Sequence, residues 1–463
     1  MYKKLLYLLA IFAISVVQAQ DLPVTEWKNL AETDWYSETE SSFEISTAET
    51  LAGLSLLVSE GTTFEGKTIE LIANIDLDGN LWTPIGPDID NSFMGTFNGN
   101  DHVISNLIVN QPDEDFAGLF GSVLNASFHN IHLDGTTIYG KFTVGSLVAN
   151  LSSHSLMENC TVINGYVQCQ LGWGGGAAGG VIGGLLSGSA VKKTSFSGEV
   201  HGGDQIGGLV GTAWDTTLIE ECFSEGLVSG GNIVGGLVGF TTMNFPPNPD
   251  SRNILKNSYS RANVIATGIN AGGLYGSPET NAGIENCYST GTVQGQQPFG
   301  GSIGKIMYDT FVSNTYWNTE SSGLEIRIGE YTPEPDISVT GRTTAEMKTE
   351  EFVAMLNNNE NIWSIDPDKN DGYPILFSQP LSTTTFDAVG VDFVIFPTLT
   401  LDHLNLETSL TGSYAVLDMM GKVLLKNDFD KNTRIDVSNL QSGHYLITVQ
   451  ENGKTYTKRF IKR

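Results

Sequence analysis

The side chains best suited to acid–base work or zinc ligation are seven histidines: His102, His129, His132, His154, His201, His403 and His444. Only His129 and His132 lie close together, and three residues apart on one strand they would face opposite sides, which argues against a shared metal. The chain has no His-Glu-x-x-His, so the zinc-protease signature is missing. No Gly-x-Ser-x-Gly elbow frames a nucleophile, since Gly188 and Ser189 lack the flanking pattern. Cleavage of a polysaccharide calls for paired carboxylates, or a carboxylate with Arg or Lys, on one face. Asp113-Glu114-Asp115, Glu220-Glu221 and Asp204 with Asp215 are the candidates, but none recurs with a basic partner in sequence, and acidic solvated turns describe them better. No catalytic residue is assigned from these patterns.

Two acidic loops set oxygen donors at alternate positions, as calcium prefers: Asp76-Leu-Asp-Gly-Asn80 and Asp366-Pro-Asp-Lys-Asn-Asp-Gly372. In the second, glycine stands seventh instead of sixth, and Phe377 holds the place of the bidentate Glu, so a turn is the plainer reading. Calcium is the only cofactor these loops bring into view, and no metal-ligating or cofactor-binding residue is assigned. Gly172-Trp-Gly-Gly-Gly176 lacks the Lys-Ser or Lys-Thr of a phosphate cradle, which leaves Trp173 as an exposed ligand-contact residue.

What must position any such residue is a repeat. Gly-Gly-Leu-Val-Gly stands at 207–211 and again at 235–239, with looser copies on both sides. Aligned on the residue after the glycine pair, the copies fall at Leu119, Leu147, Val181, Leu209, Leu237, Leu274 and Ser302, in steps of 28, 34, 28, 28, 37 and 28. A neighbouring apolar column runs Phe120, Val148, Ile182, Val210, Val238, Tyr275 and Ile303. The unit is thus 28 residues, with insertions around Gly172–Gly176 and 244–250. A mid-repeat column, Ile131, Cys160, Thr194, Cys222, Ser258, Cys287 and Thr315, keeps the same register. Short apolar runs broken by glycine, without helical periodicity, predict stacked β-coils. About eight coils at the strand spacing make a rod roughly 40 Å long, with glycine expected at the corners. Same-column cysteines would then stand two coils, roughly 9.6 Å, apart, too far for a disulfide. Cys169 could meet Cys160 only across a turn.

The 463-residue chain carries a formal charge of -28, which becomes −30 if Lys3 and Lys4 leave with a leader. So acidic a chain is a poor partner for nucleic acid or anionic membranes. Lys3-Lys4, the apolar run Leu5 to Val17 and small Ala19 read as a secretory signal peptide. Ser46-Thr-Ala-Glu49 and Thr343-Thr-Ala-Glu346 each read as a capping box opening a helix, the second extending to about Asn357. The segment up to Leu376 would seal the final coil. The last stretch changes character: strands at Tyr414–Asp418, Lys422–Lys426, Thr433–Val437, Tyr445–Gln450 and Lys454–Phe460 predict a small antiparallel β-sandwich. It holds nine Lys and Arg against eight Asp and Glu, leaving the acidic excess to the coils.

The expected fold is therefore all-β: a parallel β-helix (β-solenoid) of about 28-residue coils with short capping helices, followed by the sandwich. In order, 1–19 is a signal peptide, 20–42 an irregular lead-in, and 43–116 an N-terminal opening segment and cap. The repeats span 117–323, followed by a C-terminal cap segment at 324–377, a linker at 378–390 and the sandwich at 391–463.

The Gly-Gly-Leu-Val-Gly unit, with Ile284-Glu-Asn-Cys-Tyr-Ser-Thr-Gly291 and Tyr316-Trp317, resembles the GLUG-motif repeats of bacterial surface proteins over about Phe43 to Phe377. Such repeats occur in adhesin-like proteins and beside the protease part of some immunoglobulin A peptidases. Val416-Leu-Asp-Met-Met-Gly-Lys-Val423, Gly443-His-Tyr-Leu446 and Lys458-Arg-Phe-Ile-Lys-Arg463 resemble a type IX secretion sorting domain, departing from its Tyr-Pro-Asn-Pro opening at Phe396-Pro397-Thr398. This resemblance implies a sorting signal at Gly421, Lys422, Gly443, Tyr445, Lys458, Arg459, Lys462 and Arg463, with the type IX secretion machinery as partner. It also implies translocation across the outer membrane and a location at the cell surface or outside the cell. The expected function is binding or adhesion to a glycan, matrix or cell-surface partner. The alternatives are a β-helix polysaccharide lyase or hydrolase and a passive scaffold.

Overall fold

A computed structural model describes residues 25–171, 175–242, 251–279, 281–308, 310–332, 337–376 and most of 393–462. Parallel pairing begins at Ser42–Ile45 and continues to Ile337–Arg342. One inward column traces the whole stack: Phe43, Ile69, Phe97, Phe128, Met157, Val191, Ile219, Leu255, Ile284 and Val312, each in register with the next. The result is a parallel β-solenoid of about 10 turns, against the eight expected. The opening turns escape the count because they lack the glycine phrase, and large apolar residues such as Phe43, Phe97 and Phe128 fill their interior instead.

Each turn runs through three successive ladders of one 22-stranded sheet, then through a seven-stranded and an eight-stranded sheet. In one representative turn these are Ala190–Lys192, the two halves of Ser195–His201, Gln205–Gly207 and Val210–Trp214. The two columns of the glycine phrase point inward; all of their members are buried, and all but Ser302 belong to one core that extends from Trp27 to Val339. The glycines of the phrase do not make the corners, although Gly135 and Gly188, at φ 72° and 77°, turn the chain elsewhere in the coil. A Cβ on Gly207 would lie 1.9 Å from the Val210 carbonyl oxygen, and one on Gly208 would lie 2.1 Å from that of Gly236. The phrase lets backbone approach backbone where the coil narrows, which no other residue permits.

The corner between the first and second ladders is built by asparagine. Asn130, Asn159, Asn257, Asn286 and Asn314 all adopt left-handed backbone, with φ from 46° to 56°. Asparagine tolerates that region, and its amide here reaches back to the preceding turn. Asn159 Nδ2 donates to Asn130 Oδ1 at 2.7 Å, Asn286 to Asn257 at 3.0 Å and Asn314 to Asn286 at 2.8 Å. The next residue is the Cys/Thr/Ser column, whose side chains donate back to the carbonyl two residues earlier, as Cys287 Sγ does to Glu285 and Ser258 Oγ to Lys256. All four cysteines are free, and Cys169 Sγ bonds the Lys141 carbonyl instead of meeting Cys160. Burial pushes the Cys160, Cys222 and Cys287 thiols up to about 12, which makes them inert packing groups.

At the start, the helix Ala48–Ser59 contributes Leu51, Leu54 and Val58 to the solenoid core. Its capping box is Thr47 with Thr50, one residue later than Ser46 with Glu49, because Thr47 and Thr50 exchange side-chain-to-backbone bonds at 3.2 Å. The second box, Thr343 with Glu346, forms as expected, but its helix stops at Met347. Thr349 then caps a new helix, Glu350–Asn357. This segment does not simply seal the last coil. Met347, Phe352, Leu356, Trp363, Tyr373 and Leu376 pack against Tyr259, Tyr288 and Tyr316, which point outward from three successive turns of the second ladder. The segment is a lateral strap over an aromatic column.

The C-terminal sandwich has a three-stranded sheet (Phe393–Phe396, His403–Thr408, Thr433–Asp436) and a five-stranded one that includes Thr411–Asp418, Val423–Asp430, Gly443–Glu451 and Lys454–Lys462. Leu404, Leu406, Val416, Ile435, Ile447 and Phe460 form a core separate from that of the solenoid. The strands Phe393–Phe396, Leu399–Thr400 and His403–Thr408 lie upstream of the runs recognised in sequence. Pairing is antiparallel apart from Leu399–Thr400, which joins Ile461–Lys462 in parallel.

Candidate functional site

The third ladder presents two outward columns. One reads Ile108, Thr137, Tyr166, Glu199, Leu227 and Asn263. The other reads Asn110, Tyr139, Gln168, His201, Ser229 and Ile265. Tyr139 and Tyr166 stand with ring centroids 5.7 Å apart, and the His201 ring lies 5.1 Å beyond Tyr166. The Tyr166 hydroxyl donates to Gln168 Oε1 at 2.9 Å, leaving the Gln168 amide N–H groups for other partners. At the N-terminal end of this face opens a polar cleft of about 270 Å³, lined by Glu26, Lys28, Trp82, Asn110, Asp113 and Glu114.

Within the face, three side chains form a connected relay. Ser229 Oγ is 2.6 Å from His201 Nδ1, and Glu199 Oε2 is 2.9 Å from His201 Nε2. A carboxylate can only accept, so Nε2 carries a proton, and in the neutral ring the Nδ1 lone pair then receives the serine hydroxyl, whereas the protonated ring adds its charge beside Glu199. Burial pushes the Glu199 carboxyl up, but the hydrogen bond and charge of His201, with the Arg434 and His403 charges, outweigh it and hold the group below its usual range. Its second oxygen accepts from Asn405 Nδ2 at 3.0 Å. No sequence motif marks this trio. The signal that finds it is the 28-residue period, because Ser229 lies one repeat after His201, and Glu199 shares the face of His201 by strand alternation.

The residues weighed from sequence fall elsewhere. His129 and His132 belong to separate strands on either side of the Asn130 corner, not to one strand, and His132 contacts Thr161 at 2.7 Å and Asp101 at 3.2 Å. Carboxylates without basic partners in sequence find them one turn away: Glu220 lies 3.2 Å from Lys192 and 2.6 Å from Lys256, and Asp115 lies 3.0 Å from Lys141. In the calcium-like loops, Asp76 Oδ1 accepts from the Asp78 amide and from Asn106, and Asp366 Oδ1 from the Asp368 amide, which are turn-closing bonds. Among the described residues, no three metal-ligating side chains cluster. Trp173, Gly421, Lys422 and Arg463 lie outside the described residues.

In the C-terminal sandwich, Gly443 opens a strand and pairs with Lys462. Tyr445 is buried, stacks on Phe460 at 5.5 Å and donates to the Gln441 carbonyl at 2.7 Å. Lys458 and Arg459 stand in the closing strand opposite Ile447 and Leu446. Residues 394–463 match the secretion system C-terminal sorting domain. The sandwich is a type IX sorting domain. This sorting domain implies handling by the type IX secretion machinery and secretion to the cell surface or the extracellular space.

Other similarities cover parts of the chain. Halomucin of Haloquadratum walsbyi is 32% identical over 154 residues, 31% of this chain and 2% of its own length. A "Putative Gly-rich membrane protein" of Evansella cellulosilytica is 34% identical over 128 residues, 27% of this chain and 14% of its own length. This chain thus matches only small parts of those relatives. A crystal structure of a "putative immunoglobulin A1 protease" from Bacteroides ovatus covers 76% of this chain and 96% of its own, at 18% identity and a TM-score of 0.47.

Proposed function

We propose that this is a surface-displayed binding protein, led into the secretory route by residues 1–19, whose solenoid holds a glycan or matrix partner on the outward face of the third ladder. The observation that carries this reading is the composition of that face: two tyrosines share it with Gln168, Glu199, His201 and Ser229 in parallel columns, next to a polar cleft. Sugars are bound by apolar ring contact together with hydrogen-bonding groups at fixed spacing, and a rigid ladder sets that spacing at about 4.8 Å. The chain leaves this face directly into the insertion that holds Trp173, which we take as an added contact.

Glycan-array binding by residues 21–380, run beside a reducing-sugar release assay, tests the proposal. Binding without sugar release is the expected result. Sugar release identifies a polysaccharide-degrading enzyme, and silence in both assays a passive scaffold. We assign export to Gly421, Lys422, Gly443, Tyr445, Lys458, Arg459, Lys462 and Arg463. Deleting 391–463 should trap the protein in the periplasm, and normal surface delivery of the truncated chain would refute this assignment.

A further inference from the structure

We propose that Ser229, His201 and Glu199 are a nucleophilic relay that hydrolyses esters, with O-acyl groups on a glycan as the substrate class. Three observations support it. The hydrogen bonds form an unbroken chain, hydroxyl to imidazole to carboxylate, at 2.6 and 2.9 Å. With Nε2–H directed at Glu199, Nδ1 of the neutral ring is the atom that takes the serine proton, which is the activation a hydroxyl nucleophile requires. All three side chains keep partial exposure on an outward face, where Asn405 of the C-terminal sandwich bonds Glu199 and the His201 ring packs against Tyr166. The relay holds one carboxylate, whereas glycosidic cleavage by the usual route needs two flanking the bond, so acyl transfer is the chemistry that fits.

In the first step, Ser229 Oγ attacks the ester carbonyl carbon as its proton passes to His201 Nδ1. The tetrahedral intermediate collapses, the bond to the sugar oxygen breaks, and Nδ1 returns the proton to that leaving oxygen. Water then gives a proton to Nδ1 and attacks the acyl-serine. The acid departs, and Ser229 recovers its proton from Nδ1. Glu199 is a positioning residue, holding the ring and offsetting the imidazolium charge.

Only the choice of substrate rests on the glycan-binding reading; the nucleophile does not. The test labels the full chain, and the same chain cut at a protease site placed in 378–390, with a fluorophosphonate probe. Label should map to Ser229, and Ser229→Ala and His201→Gln should each lose it by about a hundredfold or more. Glu199→Gln should lower kcat for p-nitrophenyl acetate by roughly tenfold or more at unchanged KM and alter the pH profile, which a merely structural role would not do. Ser229→Cys is the independent check: its thiol should alkylate at neutral pH at least about tenfold faster than free cysteine, against a silent background of buried native thiols. Absence of label on both forms, or label unchanged by Ser229→Ala, overturns the relay. Label without release of acyl groups from an acetylated polysaccharide leaves the nucleophile standing and overturns the substrate class.

Discussion

Two outward columns of the same solenoid carry aromatic rings, and they have opposite fates. On the second ladder, Phe223, Tyr259 and Tyr288 stack at 4.9 Å with interplanar angles of 4° and 2°, and the strap from Thr343 to Leu376 buries Tyr259, Tyr288 and Tyr316. On the third ladder, the rings of Tyr139, Tyr166 and His201 tilt by 46° and 41° and alternate with hydrogen-bonding side chains. Repetition of one flat ring in register gives a stack that an apolar segment can cover. Mixing rings with charged and hydroxyl groups gives a face that is costly to dehydrate and so stays only partly covered: Tyr139 is buried, while Tyr166, Glu199, His201 and Ser229 keep partial exposure. A ring's role in a solenoid is therefore set by what the neighbouring turns place around it, not by the ring.

The largest expected effect falls on the covered column. Trp363→Ala removes a buried ring that touches both Tyr259 and Tyr288, and should cost about 3–5 kcal/mol in denaturant unfolding. A loss below about 1 kcal/mol would mean that the strap is not holding the column. On the other face, Tyr166→Ala should weaken glycan binding by about 10–100-fold, while costing less stability than Trp363→Ala. If Trp363→Ala, still folded, weakened binding as much, the two faces would not be functionally distinct.

Two smaller effects probe what the faces share. Asn286→Ala breaks bonds to Asn257 and Asn314 and leaves an L-residue at φ 51°, which should cost about 1–2 kcal/mol by thermal unfolding without changing binding. Glu220→Gln removes a carboxylate held between Lys192 and Lys256, for about 0.5–1 kcal/mol at neutral pH. Burial raises the Glu220 carboxyl, but the hydrogen bonds and charges of the two lysines more than offset that and hold it below 4.5. Its contribution is therefore full above that value and is lost as pH falls through the lower folded one. The difference in melting temperature between wild type and Glu220→Gln should close in acid, and a gap that widens there would contradict the assignment.

Much of the fold is legible in the amino-acid sequence. The columns through Leu209 and Val210 give the period and the inward positions, because every turn solves the same packing problem with the same residues. The sorting domain is legible for a related reason, since Gly443, Tyr445 and Lys462 meet one strand pair whose local pattern is self-contained. The opening turns escape the count where Phe43 and Phe97 replace glycine-phrase packing. The glycine phrase misleads about the corners because close backbone approach, as at Gly207, and positive φ, as at Gly135, favour the same residue, and only the backbone tells them apart.

The period, the parallel stacking, the interior columns and the change of character near residue 391 follow from sequence alone, because all of them depend on residues close in the chain or repeated at fixed intervals. The remaining features needed the folded chain. The strap from Thr343 to Leu376 could have ended the stack or flanked it, and the outcome depended on Tyr259, Tyr288 and Tyr316 forming one apolar stripe. Glu199, His201 and Ser229 are unremarkable in their own segments. They become a relay because one turn of the coil returns the backbone beneath itself and brings a side chain 28 residues away to 2.6 Å.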